Sequence, residues 1–300
     1  MTDHARDDFE GLLGELRPKL HRYCARMTGS AVDGEDVVQD AMMKALAALS
    51  DAGVIANPEG WLFRIAHNTA LDFLRHRARQ PMLQNEEVLD IVAGPDFSDR
   101  DHEVTEMSLR TFMRLPALQR SAVILKDVLD HSLDEVASIT GASEAAAKSA
   151  LQRGRARLRE FATEPADMAP PMLSGASRVL LIKYVEGFKT GDFDAVRAML
   201  ADDVKLDLVA KQRKQGKSEV VEYYAAYAAA EQWAFAAGVA DGRAAMHVYD
   251  RRISLETPAY FVALDFNGDH VVSIHDFLYA RYAMDCIDLV PLDSGKPRSE

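Results

Sequence analysis

Residues 132–159, SLDEVASITGASEAAAKSALQRGRARLR, decide the fold class of the first half of the chain. Ser132 followed three residues later by Glu135 is a capping-box pattern, so a helix opens at Leu133. Val136, Ala137 and Ile139 mark its inward side, and Thr140-Gly141-Ala142 turns the chain. Ser143 then caps a second helix, on which Ala147, Ala150, Leu151, Gly154, Leu158 and Phe161 line one side. Lys148, Gln152, Arg155 and Arg159 line the other, flanked by Ser149 and Arg153. A helix, a glycine turn and a helix with a basic polar face form a helix-turn-helix pattern. In that arrangement Lys148, Ser149 and Gln152 reach base edges in the major groove, and Arg153 and Arg155, nearer the helix end, hold phosphates. An ordinary helical hairpin with a charged outer face has the same pattern.

The charge around this stretch is unusual for the chain. The whole protein has 300 residues, 47 acids, 35 bases and a net charge of −12. Spread evenly, that charge would oppose nucleic-acid binding, because phosphates are neutralised by Lys and Arg. It is not spread evenly. Residues 148–159 hold five bases and no acid, and residues 61–80 hold four bases and one acid. Residues 81–110 hold eight acids and two bases. Hydrophobic residues at 48% exclude a disordered chain. The sequence has no run long enough to span a membrane and no secretion signal at Met1-Thr2-Asp3-His4. Cys24 and Cys286 are too few for a disulfide framework or a zinc site. These features lead to a cytoplasmic protein without a membrane association, cofactor or metal.

Upstream, Phe9, Leu12, Leu13, Leu16 and Leu20 recur at helical spacing. Thr28-Gly29-Ser30 breaks that helix, and Asp33 is the expected N-cap of the next, whose stripe runs from Val37 to Leu49. A third helix is expected over Trp61 to Arg79, where Arg64, Asn68, Leu71, Arg75 and Arg79 share one face. Leu62, Ile65, Ala66, Thr69 and Phe73 lie opposite. A basic face carrying an Asn suits phosphate and base contacts, and it also suits plain solvation. Residues 81–107 read as an acidic linker, 108–163 as helical and 164–175 as a second, proline-bearing linker.

These elements in this order resemble the extracytoplasmic-function (group IV) branch of the sigma-70 family. The run from Asp33 to Asp40 followed by Trp61-Leu-Phe-Arg-Ile-Ala-His-Asn68 resembles regions 2.2 to 2.4. Leu115-Pro116, the capping box at Ser132 and Lys148 to Leu158 resemble region 4. The resemblance covers about the first 163 residues. It implies a region 2 helical bundle over 1–80 and a region 4 helix-turn-helix over 108–163. It further implies that Asp36, Gln39, Asp40 and Lys44 face the β′ clamp helices of core RNA polymerase, with the β flap as a second contact. Arg64, Asn68, Arg75 and Arg79 would meet the −10 promoter element, with Asn68 near a flipped base. Lys148, Ser149, Gln152, Arg153 and Arg155 would meet the −35 element. Ala150 stands where the family often has Arg. Gly154 stands where Ala is frequent, which costs about 1 kcal/mol of helix propensity and points to close packing there.

Residues 176–287 change character, with two helices, a strand near 204–209, a helix near 217–229 and four β-rich segments from Trp233 to Phe277. Asn267-Gly268 is a hairpin signal. The order resembles the SnoaL-like branch of the NTF2-like fold, an α+β cone with a curved antiparallel sheet, and residues 288–300 form a tail. Tyr223, Trp233, His247 and Tyr260 are the candidate pocket residues, and Tyr224, Tyr227, Asp207, His275 and Asp276 enter the same comparison. Core packing explains each of them as well. A calcium loop at Asp265–Asp276 is rejected because Gly268 falls at the wrong position. The basic cluster Lys211 to Lys217 reads as a solvated loop. The expected function is a sigma factor whose C-terminal domain regulates it from within and takes a small-molecule ligand. It is not expected to be an enzyme. The competing reading is a SnoaL-like enzyme or ligand sensor fused to a DNA-binding module.

Overall fold

The computed structural model describes residues 3–49, 51, 53, 55–79, 108–163 and 173–292. The expected linker at 81–107, most of that at 164–175 and most of the tail lie outside the described residues. The chain divides into two compact units, Met1–Asp167 and Met168–Glu300.

In the first unit, helix α1 (Asp3–Thr28) packs on α2 (Ala31–Ala48) and α3 (Pro58–Arg79). Helix α2 starts earlier than expected. Ser30, not Asp33, is the N-cap, and its hydroxyl accepts from the Asp33 amide at 3.2 Å. Ser30 lies three residues before the amide that needs an acceptor, and Gly29 at φ +77° makes the turn that delivers it. Gly34 lets α2 cross α1 closely, for a Cβ there would stand 2.5 Å from the Ala25 nitrogen. Helix α3 opens on Pro58, where a missing amide hydrogen costs nothing.

Beyond the linker come α4 (Leu109–Met113) and α5 (Ala117–Val123), which runs into a π-helical turn (Ile124–Val128). The hairpin follows as α6 (Leu133–Thr140) and α7 (Glu144–Thr163). Both halves of the Ser132/Glu135 capping box form, and Gly141 adopts the left-handed conformation expected of the turn. The Ser143 hydroxyl accepts from the Ala146 amide at 3.2 Å, as an N-cap should. Close packing at Gly154 is also observed, since a Cβ would lie 2.7 Å from Val123 Cγ2 and 3.1 Å from the Gln119 carbonyl. One contiguous apolar core runs from Phe9 and Leu20 through Phe63 to Phe112, Ile124, Val136 and Leu158.

The second unit is α+β. Helices α8 (Gly175–Thr190) and α9 (Phe193–Ala198) precede β1 (Leu200–Leu208), β2 (Gln212–Gln215) and α10 (Val221–Ala228). Strands β3 (Trp233–Ala240), β4 (Arg243–Asp250), β5 (Tyr260–Asn267), β6 (His270–Asp276) and β7 (Leu289–Pro291) complete it. The sheet order is β2-β1-β6-β5-β4-β3-β7. Two expectations need correction. The sheet is mixed, because β1 pairs in parallel with β6 while the other pairings are antiparallel. The stretch read as a basic loop contains edge strand β2, with Arg213 paired to Asp207 at 2.6 Å, Lys214 to Glu222 at 2.8 Å and Lys217 to Asp202 at 2.9 Å. These three cations are answered by acids of the same unit, and Lys211 donates to the Tyr279 hydroxyl at 2.8 Å. The β5–β6 hairpin forms with Gly268-Asp269 as its two loop residues, since Asn267 pairs with His270.

Candidate nucleic-acid interface

Helix α3 has two unlike sides because its apolar positions recur at helical period. Leu62, Phe63, Ala66 and Ala70 are buried, whereas Arg64, Asn68, Arg75 and Arg79 are exposed. Arg75 donates to Asp72 at 2.9 Å, an exposed i,i+3 pair of small energetic value. Helix α7 repeats the design. Ala147, Ala150, Leu151, Gly154 and Leu158 face the core, and Lys148, Gln152 and Arg153 are exposed while Ser149 is half-buried.

Arg155 stands apart from the set with which it was grouped. Its Nε and Nη2 donate to the two carboxylate oxygens of Asp127, at 2.9 and 2.5 Å. Asp127 sits in the π-helical turn and is buried. A bidentate pair of this kind fixes α7 on the preceding element, with Arg155 half-exposed and Asp127 buried.

On α2, Asp40 is exposed and Asp36 half-buried. Gln39 Oε1 accepts from Arg17 Nη2 at 2.9 Å, and Arg17 also pairs with Glu35. Lys44 donates to Thr69 Oγ1 of α3 at 3.1 Å. The four side chains share one helix, with Gln39 tied to α1 and Lys44 to α3.

A polar junction that residue spacing did not signal lies inside the unit. The Tyr23 hydroxyl is 2.7 Å from His67 Nδ1 and 2.8 Å from Ser121 Oγ, and His67 and Ser121 are 3.1 Å apart. All three are buried. They come from α1, α3 and α5, so the junction joins the elements before the linker to those after it. Arg120 reinforces it, donating to the carbonyls of Met27 at 2.6 Å, Met113 at 3.0 Å and Leu115 at 2.9 Å. Phe63 packs edge-on against His131 with centroids 4.9 Å apart. Burial pushes the His67 pKa down to about 4, with the Arg75 charge acting in the same direction, so the imidazole is neutral at pH 7.

In the second unit the candidate pocket residues separate. Tyr223 and Tyr260 share the inner core with Tyr184, Tyr224 and Tyr227, and half-buried Trp233 packs edge-on to Tyr260 at 5.3 Å. His247 does not join them. Period-2 alternation puts Met246 and Val248 inside and turns His247 to the other face, against Gly238, with Nε2 3.3 Å from the Val239 carbonyl oxygen. Asp207 and His275, register partners on β1 and β6, also lie off the inner face, whereas Asp276 lies on it.

The sigma-70 region 2 model matches residues 12–80 and the sigma-70 region 4 model residues 107–158. The ECF RNA polymerase sigma factor SigG of Mycobacterium tuberculosis is 27% identical over 92% of this chain and 83% of its own length. The ECF RNA polymerase sigma factor SigM of the same species is 33% identical over 50% of this chain and 74% of its own. Among solved structures, the crystal structure of M. tuberculosis SigJ aligns at 22% identity and a TM-score of 0.36, covering 89% of this chain and 95% of that one. An NTF2-like protein from Cytophaga hutchinsonii aligns with 33% of this chain and 96% of its own at 17% identity and a TM-score of 0.25. On the two matched regions and the SigM similarity, the chain belongs to the ECF sigma factors of the sigma-70 family, the promoter-recognition subunits that start transcription with RNA polymerase.

Proposed function

We propose that this sigma factor reads its promoter with the exposed faces of α3 and α7. Arg64, Asn68, Arg75 and Arg79 meet the −10 element, and Lys148, Ser149, Gln152 and Arg153 meet the −35 element. Arg155 acts through Asp127 by holding α7 in place. Asp36, Gln39, Asp40 and Lys44 on α2 face the β′ clamp helices of core polymerase, and residues 108–163 reach the β flap. The observation that carries this reading is that both helices expose a basic polar side while their apolar sides join one core. The whole cycle takes place in the cytoplasm, where core polymerase and the chromosome are.

The two faces cannot serve one promoter while the Tyr23–His67–Ser121 junction is closed. Elements centred about 25 base pairs apart are separated by about 85 Å at about 3.4 Å per pair. A compact body of this unit's size has a radius of gyration of only about 15 Å. Engagement of both elements therefore breaks the junction, and the closed unit is the form that holds the reading faces apart from a promoter. The C-terminal unit regulates this step from within the chain and holds a small-molecule ligand.

Run-off transcription with core polymerase on a −10/−35 template tests the reading. Lys148→Ala with Gln152→Ala should lose tenfold or more in promoter affinity and relax discrimination at the −35 positions. Asn68→Ala should impair promoter opening while sparing closed-complex binding. Removal of residues 176–300 should change transcript yield. Equal yields from all these proteins would overturn it.

A further inference from the structure

A cleft of about 1030 Å³ lies within the first unit, between the second half of α3, the turn joining α4 to α5 and the end of α7. Leu71 shares the basic face of α3 with Asn68 and Arg75, and both it and Leu74 stay half-buried where they line the cleft. Across from them Pro116 and Leu118 are exposed and Phe161 is half-buried. These side chains stand at the border of the core and leave apolar surface facing the cleft.

Charge in the cleft is one-sided. Arg75, Arg114 and Arg157 line it, with Glu160 as the acid among the described lining residues. The Arg114 guanidinium lies 3.6 Å above the Phe161 ring, so positive charge and apolar surface are held together. His67 and Arg120 of the buried polar junction also line the cleft. An occupant therefore touches elements before the linker and elements after it. The chemistry that fits is an apolar centre with acids around it.

The chain itself carries such a segment. Glu86-Glu-Val-Leu-Asp-Ile-Val92 has four apolar residues, three acids and no base. It belongs to the stretch outside the described residues, and that stretch begins and ends beside the cleft. Ala78 lines the cleft one residue before Arg79, and Met113 lines it five residues after Ser108. Glu86 is seven residues past Arg79, and Ser108 is sixteen past Val92. At about 3.4 Å per residue these tethers span up to about 24 and 54 Å, enough to reach any part of the cleft. We propose that the cleft is the docking site for residues 86–92, whose apolar residues cover Leu71, Leu74, Leu118 and Phe161 while their acids answer Arg75, Arg114 and Arg157. Tethering favours this occupant over a free partner, because a segment of the same chain acts at an effective concentration on the order of 1 mM. Docked there, it joins α3 to α4, α5 and α7 in addition to the Tyr23–His67–Ser121 junction.

The test uses the full chain without polymerase, so its failure leaves the promoter reading intact. A fluorescent peptide of residues 84–95 is titrated by anisotropy into wild type and into a variant carrying Val88→Ser, Leu89→Ser, Ile91→Ser and Val92→Ser together, which empties the cleft. The emptied variant should bind the peptide with a Kd of about 0.1 mM, and wild type about tenfold more weakly, because its own segment competes at about 1 mM. Leu118→Asp, at an exposed position, should abolish peptide binding when added to the emptied variant and leave the melting temperature unchanged. Amide exchange of residues 117–128 should be faster in the emptied variant than in wild type. The proposal is overturned if the emptied variant fails to bind the peptide at about 1 mM, if wild type binds it equally well, or if exchange is the same in both. It is also overturned if light scattering finds wild type dimeric and Leu118→Asp monomeric, since a second copy then fills the cleft.

Discussion

Acidification should loosen the first unit at the Tyr23–His67–Ser121 junction. The magnitude follows from one group. His67 is held at a pKa of about 4 in the closed unit, and released to solvent it returns to about 6.5. The opened form therefore binds more protons than the closed form between these values. The sign is fixed: the closed junction has its full stability above pH 7, and loses it as pH falls through 6.5 towards 4. At pH 5.5 the opened imidazole is about nine-tenths protonated and the closed one almost entirely neutral. That difference is about 1.4 kcal/mol, or tenfold in the closed-to-open ratio. His131, whose pKa is also lowered by burial, adds in the same direction. The assay is amide hydrogen exchange of residues 117–128 in the full chain at pH 7.5 and 5.5, corrected for intrinsic exchange. Wild type should open about tenfold more at pH 5.5. His67→Gln, whose amide oxygen accepts from Tyr23 without titrating, should retain only the smaller part due to His131. A full tenfold change in His67→Gln, or none in wild type, would refute the assignment.

Other perturbations separate structural from reading roles. Gly34→Ala places a methyl 2.5 Å from backbone that cannot yield, so it should cost about 1–3 kcal/mol or more in urea unfolding. Asp127→Ala removes the buried carboxylate that accepts from Arg155 and should lose about 3 kcal/mol, at the low end of what breaking a buried pair costs because Arg155 is half-exposed. Arg153→Ala, at an exposed position, should leave the melting temperature unchanged and reduce the salt slope of DNA binding by about one, as loss of one phosphate contact requires. Ser132→Ala removes an N-cap that serves the Glu135 amide at 3.2 Å, and thermal unfolding should report a loss of about 1 kcal/mol.

Local signals carried most of the helical half. The capping box, the Gly141 turn, the Ser143 cap and the tight fit at Gly154 all depend on residues close in sequence or on the loss of a single side chain, so they were legible. So was the amphipathic split of α3 and α7. The start of α2 was misplaced because Ser30 and Asp33 are both good caps, and only the backbone at Gly29 chooses between them. Strand pairing was less accessible. The β1–β6 ladder is parallel and joins residues about 70 apart, and β2 was hidden because its alternation is written in Lys, Arg and Gln rather than in apolar residues. His247 was placed with the pocket because tyrosines and a histidine within one β-rich domain suggest a common site, whereas a shift of one residue along β4 moves a side chain to the other face.

The polar junction was beyond sequence reading for a different reason. Tyr23, His67 and Ser121 each sit within an apolar helical stripe, where a hydroxyl or imidazole looks like an ordinary tolerated substitution. Their meaning arises only when three helices converge, and it is then energetic. An all-apolar junction would bury the same area and hold more tightly, since buried polar groups gain little net stability even when well paired. It would also resist opening, because separated apolar surfaces meet water with nothing to offset the loss. Three groups that hydrogen-bond to each other when closed and to water when open narrow that gap. On the proposed function the two reading faces part by tens of ångströms to reach one promoter, and a junction of modest strength is what those two states together demand. Replacing Tyr23, His67 and Ser121 with Phe, Phe and Ala should thus stabilise the closed unit and depress transcription together. A variant that gained stability without losing activity would break the link.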